Sequence, residues 1–442
     1  MFENRYPFIN ISPDNPSIQK DANLCVGCGH CLAVCKEEIG VAGRTDSKVD
    51  CIHCGQCVAA CPERSLLPKS QWQEVKEAAK NKILVVSTAP SVRVALGEAF
   101  GGNAGDFVEG QMVAAIKALG ADYVLDVAFS ADLTILEEGT EFLRRLLKGT
   151  GALPQFTSCC PAWVKYVEGF YPDWIPHISS AKSPISMQGA LVKTYFAKEM
   201  GIDPKNILHV AIAPCTAKKF EISREEFSSA GEMLGIPGLR DNDYVLTTAE
   251  LAEWLQSEQV DFFSLTPQAF DPLMGEGSGA GIIFGNTGGV MEAALRMAYS
   301  IVCKKEPPQD LLQYEPVRGM EQVKTASVDL NGKTVRVAVI YGTAVAGELL
   351  ENGMLNEYDF VEVMTCPGGC ISGGGQPRGM VVPVEDRRRK ARISSLYQAE
   401  KERKSRNSLD NRELTRLYET FLEQPLGERA EELLHTHYTS RR

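Results

Sequence analysis

The chain has 442 residues, 44 % of them hydrophobic, and a formal net charge of −11. That length suits about three domains with a sizeable core. The acidic balance argues against nucleic-acid binding, which favours basic surfaces.

Residues 1–24 read as a short irregular lead-in. They show no charged stretch running into an apolar one and no twin arginine, so the expected location is cytoplasmic. No apolar run reaches the ~18 residues of a membrane span. Fourteen cysteines in such a chain point to metal ligation rather than disulfides. Eight of them fall within residues 25–66, which hold too few apolar runs to be stabilised by burial alone. The first quartet is Cys25, Cys28, Cys31 and Cys35; the second is Cys51, Cys54, Cys57 and Cys61, followed by Pro62. This is CxxCxxCxxxC twice, the bacterial two-cluster spacing, in which the fourth cysteine of each run ligates the other cluster. Cys25, Cys28, Cys31 and Cys61 are therefore expected to hold one [4Fe–4S] cluster, and Cys35, Cys51, Cys54 and Cys57 the second. Structural zinc usually pairs CxxC units over a longer gap. Lys36 stands where a proline often follows the fourth cysteine. His30 and His53 are expected on the surface.

Residues 71–82 read as a mostly polar linker helix. Beyond them lie short runs rich in Val and Ile: Ile83–Ser87, Tyr123–Val127, Ile207–Ile212, Tyr244–Thr247, Val335–Tyr341 and Phe360–Met364. Helical stretches alternate with them at Val108–Leu119, Leu133–Leu147, Ala249–Gln256 and Val290–Val302. This texture predicts an α/β fold of parallel sheet flanked by helices. Gly275–Ala294 is glycine-rich but lacks a P-loop ending and a dinucleotide fingerprint, so it reads as backbone packed closely around a cofactor. Past Pro383 the chain is charged and helical. Net charge is −2 over residues 1–68, +3 over 381–442 and −12 between them. The basic segment Arg387–Arg406 reads first as a solvated surface and second as a docking patch for an acidic electron carrier. The expected domains are residues 1–68, a small α+β ferredoxin-like unit; 69–82, the linker; 83–380, the catalytic α/β unit; and 381–442, a helical extension.

Three further segments carry cysteines: TSCCPAW (Thr157–Trp163), PCTAKKFE (Pro214–Glu221) and MTCPGGCISGGGQP (Met364–Pro377). With ADLTILEEGTE (Ala131–Glu141), SSAKSP (Ser179–Pro184) and FGNTGGVMEAALR (Phe284–Arg296), they make the chain resemble the [FeFe]-hydrogenases over nearly its whole length. The resemblance implies two lobes of parallel sheet around an H-cluster. In that cofactor a [4Fe–4S] cubane is joined to a two-iron subsite carrying CO, cyanide and azadithiolate. Cys160, Cys215, Cys366 and Cys370 would hold the cubane, and Cys370 would bridge to the two-iron unit. Four thiolates also complete a cubane on general grounds.

The same resemblance implies outer contacts from Lys218, aimed at a cyanide, and from Met364, Ala213, Pro214 and Ser183. It implies proton delivery by Cys159, Glu138, Ser179 and Glu141. Glu138 and Glu141 are three apart on a predicted helix and share a face. The implied reaction is 2 H⁺ + 2 e⁻ ⇌ H₂, with ferredoxin or a similar carrier as electron partner and maturation enzymes supplying the two-iron unit. Ala213 stands where prototypical members have methionine, Ala162 where glycine is common, and Pro367 follows Cys366; these departures suggest a divergent catalytic branch. Cys303, at the end of an apolar helix, reads as core. A hydrogen-sensing relative and a non-catalytic iron–sulfur assembly relative are the competing readings. The presence of Cys159 and Lys218 argues against both.

Overall fold

The computed structural model describes residues 8–308, 310–317, 320–378 and 386–442. In chain order its strands are β1 (Ile18–Lys20), β2 (Leu66–Pro68), β3 (Ile83–Thr88), β4 (Tyr123–Asp126), β5 (Gln155–Phe156), β6 (Ile207–Ala213), β7 (Tyr244–Thr247), β8 (Glu315–Val317), β9 (Met320–Leu330), β10 (Lys333–Tyr341) and β11 (Phe360–Met364). β1 and β2 form an antiparallel pair, and a four-stranded sheet runs β4-β3-β6-β7. All neighbours in that second sheet are parallel. Val85, Val86, Val210 and Val245 are buried, as expected where helices cover both faces.

The five-stranded sheet, in order β5-β11-β10-β9-β8, departs from the expected all-parallel lobe. β5, β11 and β10 are parallel, but β9 runs antiparallel to β10 and β8 antiparallel to β9. The cause is local. Leu330 pairs with Lys333 across Asn331–Gly332, whose φ values are 55° and 88°. A two-residue Asn–Gly loop with both φ positive matches strand twist and closes a hairpin.

Val127, expected to end a strand, opens a 22-residue helix to Lys148. Asp126 sets that start by accepting the Ala128 N–H at 2.8 Å, the usual device for an orphan donor of a first turn. The helix packs on the helices Pro184–Leu191, Gly279–Ile283 and Gly289–Cys303, which brings Glu138 into the interior. Cys303 ends its helix only partly buried, not in the core.

The cysteine-rich N-terminal segment does not stand alone. Ile39, Ile52 and Val58 share one apolar cluster with Phe156, Trp163 and Val361 of the second lobe. Its Gly55 lies so close to Gly374 that a Cβ on Gly374 would sit 2.4 Å from the Gly55 carbonyl oxygen, so only glycine fits there. The basic segment Arg387–Arg406 is a solvated surface in part, with Arg387, Lys390, Lys401 and Lys404 exposed, but not throughout. Arg392 is fully buried. Its guanidinium grips both oxygens of Glu98, at 2.7 and 2.8 Å, and donates to the Ile371 carbonyl at 2.7 Å. Arg403 donates to Glu109 at 2.7 Å. The positive C-terminal region is thus clasped to the negative catalytic unit. The expected boundary at residues 380 and 381 lies outside the described residues. Among the described residues no helix is long and apolar enough to cross a membrane.

Candidate active site

The structure sorts twelve of the cysteines into three groups, and all fourteen are free of disulfides. Cys25, Cys28, Cys31 and Cys61 line one small cavity. Cys61 thus crosses from the second run to the first three cysteines of the first. Cys35 makes the reverse crossing, within electrostatic reach of Cys51, Cys54 and Cys57. Burial pushes the Cys35 thiol up to about 11, and drives Cys54 and Cys57 far above the usual thiol range. Cys54 also feels Cys366, so this group adjoins the next.

Cys160, Cys215, Cys366 and Cys370 come from three distant segments and interact with one another electrostatically. Cys160 ends the loop before the helix Pro161–Phe170, Cys215 follows β6, and Cys366 and Cys370 follow β11. Burial raises Cys215 to about 12 and carries Cys366 and Cys370 well above the normal range. Thiols so buried gain most by giving up their protons to a metal, whose charge replaces lost hydration. Two side chains already address these sulfurs. Gln56 Nε2 donates to Cys366 Sγ at 3.1 Å, and Thr365 Oγ1 lies 3.3 Å from Cys160 Sγ. Among the described residues no three His, Cys, Asp or Glu side chains converge on a single metal ion. A cubane spreads its four cysteines over four irons.

Beside Cys370 is a cavity with an almost wholly apolar wall that includes Ala213, Pro214, Ile185 and Phe284. Cys159 and Lys218 supply polar groups to it. The donor set and this adjoining space fit a cubane with a bulky appendage attached through Cys370. Met364 packs in an apolar cluster with Cys159 and against Cys370. Ser183, expected at the cofactor, instead donates its hydroxyl to Glu221 at 3.0 Å. Glu221 in turn accepts from Lys218 Nζ at 2.8 Å, and Lys218 also donates to the Cys159 carbonyl at 3.0 Å. Burial alone would lower the Lys218 pKa, but Glu221 outweighs it and the net shift is upward. The lysine therefore carries its own protein counter-ion, which the sequence reading had sought only in a cyanide.

Cys159 is 7 % exposed and lies within electrostatic reach of Glu138. Glu138 accepts the Ser158 N–H at 3.0 Å through Oε1, and its Oε2 has no partner. Burial is the main cause of its pKa rising to about 8. Ser179 also interacts with Glu138 and donates to Glu141 Oε2 at 2.6 Å. Arg145 ends the series, donating to Glu141 Oε1 at 2.6 Å. The structure thus brings Cys159, Glu138, Ser179 and Glu141 together in that order. Arg145 was missed, although it follows Glu141 by four residues on one helix face. The C-terminal region braces the serine segment. Thr436 N–H donates to the Ser180 carbonyl, and Lys182 N–H to that of Leu434, each at 2.8 Å.

Residues 82–374 match the family described as "Iron only hydrogenase large subunit, C-terminal domain". The chain belongs to the iron-only hydrogenases. Residues 17–62 match a 4Fe-4S dicluster domain and 386–441 the iron hydrogenase small subunit. Iron hydrogenase 1 of Clostridium pasteurianum is 41 % identical over 96 % of this chain and 76 % of its own length. The periplasmic [Fe] hydrogenase large subunit of Nitratidesulfovibrio vulgaris is 45 % identical over 81 % of this chain and 86 % of its own. The apo [FeFe]-hydrogenase HydA1 of Chlamydomonas reinhardtii, in a cysteine-to-histidine variant, superposes with a TM-score of 0.74 at 38 % identity, covering 84 % of this chain and 99 % of that one. The cytosolic iron-sulfur assembly component 3 of Bos taurus is more distant, 32 % identical over 81 % of this chain and 75 % of its own. This hydrogenase interconverts H₂ with protons and electrons, and its ferredoxin-like segment carries the electrons. Family membership implies iron–sulfur clusters and an H-cluster.

Proposed function

We propose that the twelve grouped cysteines form a conduit ending at a proton-fed catalytic cluster. Cys25, Cys28, Cys31 and Cys61 would hold an outer [4Fe–4S] cluster, and Cys35, Cys51, Cys54 and Cys57 an inner one. Cys160, Cys215, Cys366 and Cys370 would hold the cubane of the H-cluster, with Cys370 bridging to its two-iron unit. When bound, that cofactor supplies the redox chemistry that joins protons and electrons into H₂. A ferredoxin-type carrier is the proposed electron partner, and dedicated maturation enzymes the source of the two-iron unit.

The protein's own groups hold, insulate and feed that centre. The apolar wall of Ala213, Ile185 and Phe284 excludes water. Lys218, fixed by Glu221 and steadied by Ser183, presents a positive charge to the cavity. Cys159 holds a proton at Sγ, passes it toward the cavity and is recharged from Glu138. Ser179 relays between Glu138 and Glu141, and Arg145 fixes Glu141 toward the surface end. The observation that carries this reading is the mostly buried series of Cys159, Glu138, Ser179, Glu141 and Arg145 beside four gathered cysteines. The test is gas production by anaerobically purified protein supplied with the two-iron unit and reduced methyl viologen. Hydrogen evolution is expected, together with infrared bands of metal-bound carbonyl. Protein that binds the two-iron unit yet makes no H₂ would overturn the assignment.

A further inference from the structure

His53 was expected on the surface, yet it is 5 % exposed. It lies between Cys51 and Cys54 with φ 62°, its ring stacked 4.6 Å from that of Phe220. Its surroundings fix every hydrogen in a short series. Asn15 Oδ1 accepts the backbone N–H groups of Ser17 and Ile18, each at 3.0 Å. The orientation of the Asn15 amide is therefore settled, and its Nδ2 donates to Cys51 Sγ at 3.5 Å. His53 Nδ1 is 3.2 Å from that same Oδ1, a pure acceptor, so Nδ1 bears the ring proton. Nε2 faces the Lys165 ammonium, a group with donors only, so Nε2 is the acceptor. Lys165 Nζ sits 2.7 Å from Nε2 and donates to it. Among the described residues no carboxylate comes within 4.0 Å of the Lys165 ammonium; burial outweighs the pull of Cys51, Asp50 and Glu168 and lowers its pKa to about 8, so it is charged at pH 7. The ammonium also rests over the Phe220 ring, 4.4 Å from its centre.

We propose that Lys165 is a potential-setting residue of the inner cluster, its positive charge transmitted through His53 and Asn15 to the sulfur of Cys51. This rests on the reading that Cys35, Cys51, Cys54 and Cys57 hold a [4Fe–4S] cluster. Cluster potential follows net charge and the hydrogen bonds to the sulfurs. A cation at the head of a donor series that ends on one ligand sulfur stabilises the reduced cluster and raises its potential. The location gives this consequence. Gln56, in the Cys54–Cys57 loop, reaches Cys366 Sγ, so the cluster tuned by Lys165 is the one that touches the catalytic quartet. The relay favours an electron resting on that inner cluster, next to the site of turnover.

The test is a redox titration, followed by electron paramagnetic resonance, of the full chain carrying its iron–sulfur clusters without the two-iron unit. In Lys165→Met one midpoint is expected to move to more negative potential, with the other midpoints and the iron content at wild-type values. Lys165→Arg, which keeps the charge, is expected to return that midpoint most of the way. A Lys165→Met protein that titrates like the wild type would overturn the proposal. If the Met variant loses iron, Lys165→Gln replaces it: the amide still donates to Nε2 but carries no charge. A negative shift in the Gln variant supports the proposal, and a wild-type midpoint shows that the lysine serves packing alone. Wild-type protein with no paramagnetic cluster assignable to the inner quartet would sink the underlying ligand reading instead.

Discussion

Cys159→Ala is expected to lose nearly all hydrogen turnover while keeping its full iron content. The side chain is not one of the four gathered ligands, so removing it leaves the cluster thiolates in place. It is the thiol between the apolar cavity and Glu138. Burial, then Glu138 and the neighbouring thiols, hold its pKa well above the usual range, so it stays protonated until called on. A positioned proton donor is worth ~10²–10⁴ in rate. Hydrogen production from reduced methyl viologen, normalised to iron, measures the effect; a variant at wild-type rate would remove Cys159 from the path. Glu138→Gln gives a companion signature. A carboxyl raised to about 8 from an ordinary value near 4.5 lends stability that is complete below the lower pKa and lost as pH rises through the upper. The Gln variant should therefore turn over poorly yet gain thermal stability over wild type between pH 5 and 8, by on the order of a few kcal/mol.

Arg392→Ala should be the most destabilising change in the C-terminal region. The guanidinium is fully buried and neutralises Glu98 through two hydrogen bonds while binding the carbonyl next to Cys370. Truncating Arg392 leaves Glu98 to the longer Arg388 contact at 3.3 Å, a partial compensation that should hold the cost to about 3 kcal/mol. The Ile371 carbonyl loses its donor as well, so the Cys370 segment should loosen. Denaturant unfolding of the two proteins measures the loss, and hydrogen exchange at residues near 370 reports the loosening. A difference below about 1 kcal/mol would mean that Glu98 finds another partner or takes up a proton. Arg392→Met combined with Glu98→Leu should recover much of the loss, because a well-packed apolar pair replaces a buried ion pair at small cost.

Local pattern made much of this molecule legible. The Val- and Ile-rich runs become strands at nearly the expected bounds, with Tyr244–Thr247 and Phe360–Met364 matched at both ends. The N-terminal cysteine spacings pointed to metal chemistry because both runs are written in short intervals. What stayed hidden depends on partners far away in the chain. Nothing near Arg392 says that Glu98 will meet it, and nothing near His53 says that Lys165, Asn15 and Phe220 will enclose it. Glu221 was read only as part of a motif, though it is three residues from the lysine it neutralises. The antiparallel half of the five-stranded sheet was announced by Asn331–Gly332, a hairpin signal that the strand-by-strand reading passed over.

Iron-edge anomalous diffraction from crystals of the matured protein tests the central claim most directly. The account predicts four irons among Cys160, Cys215, Cys366 and Cys370, and two more beyond Cys370 in the space bounded by Ala213, Phe284 and Lys218. Iron density that leaves Cys370 unligated, or that is missing from that space in protein active for H₂, would contradict it.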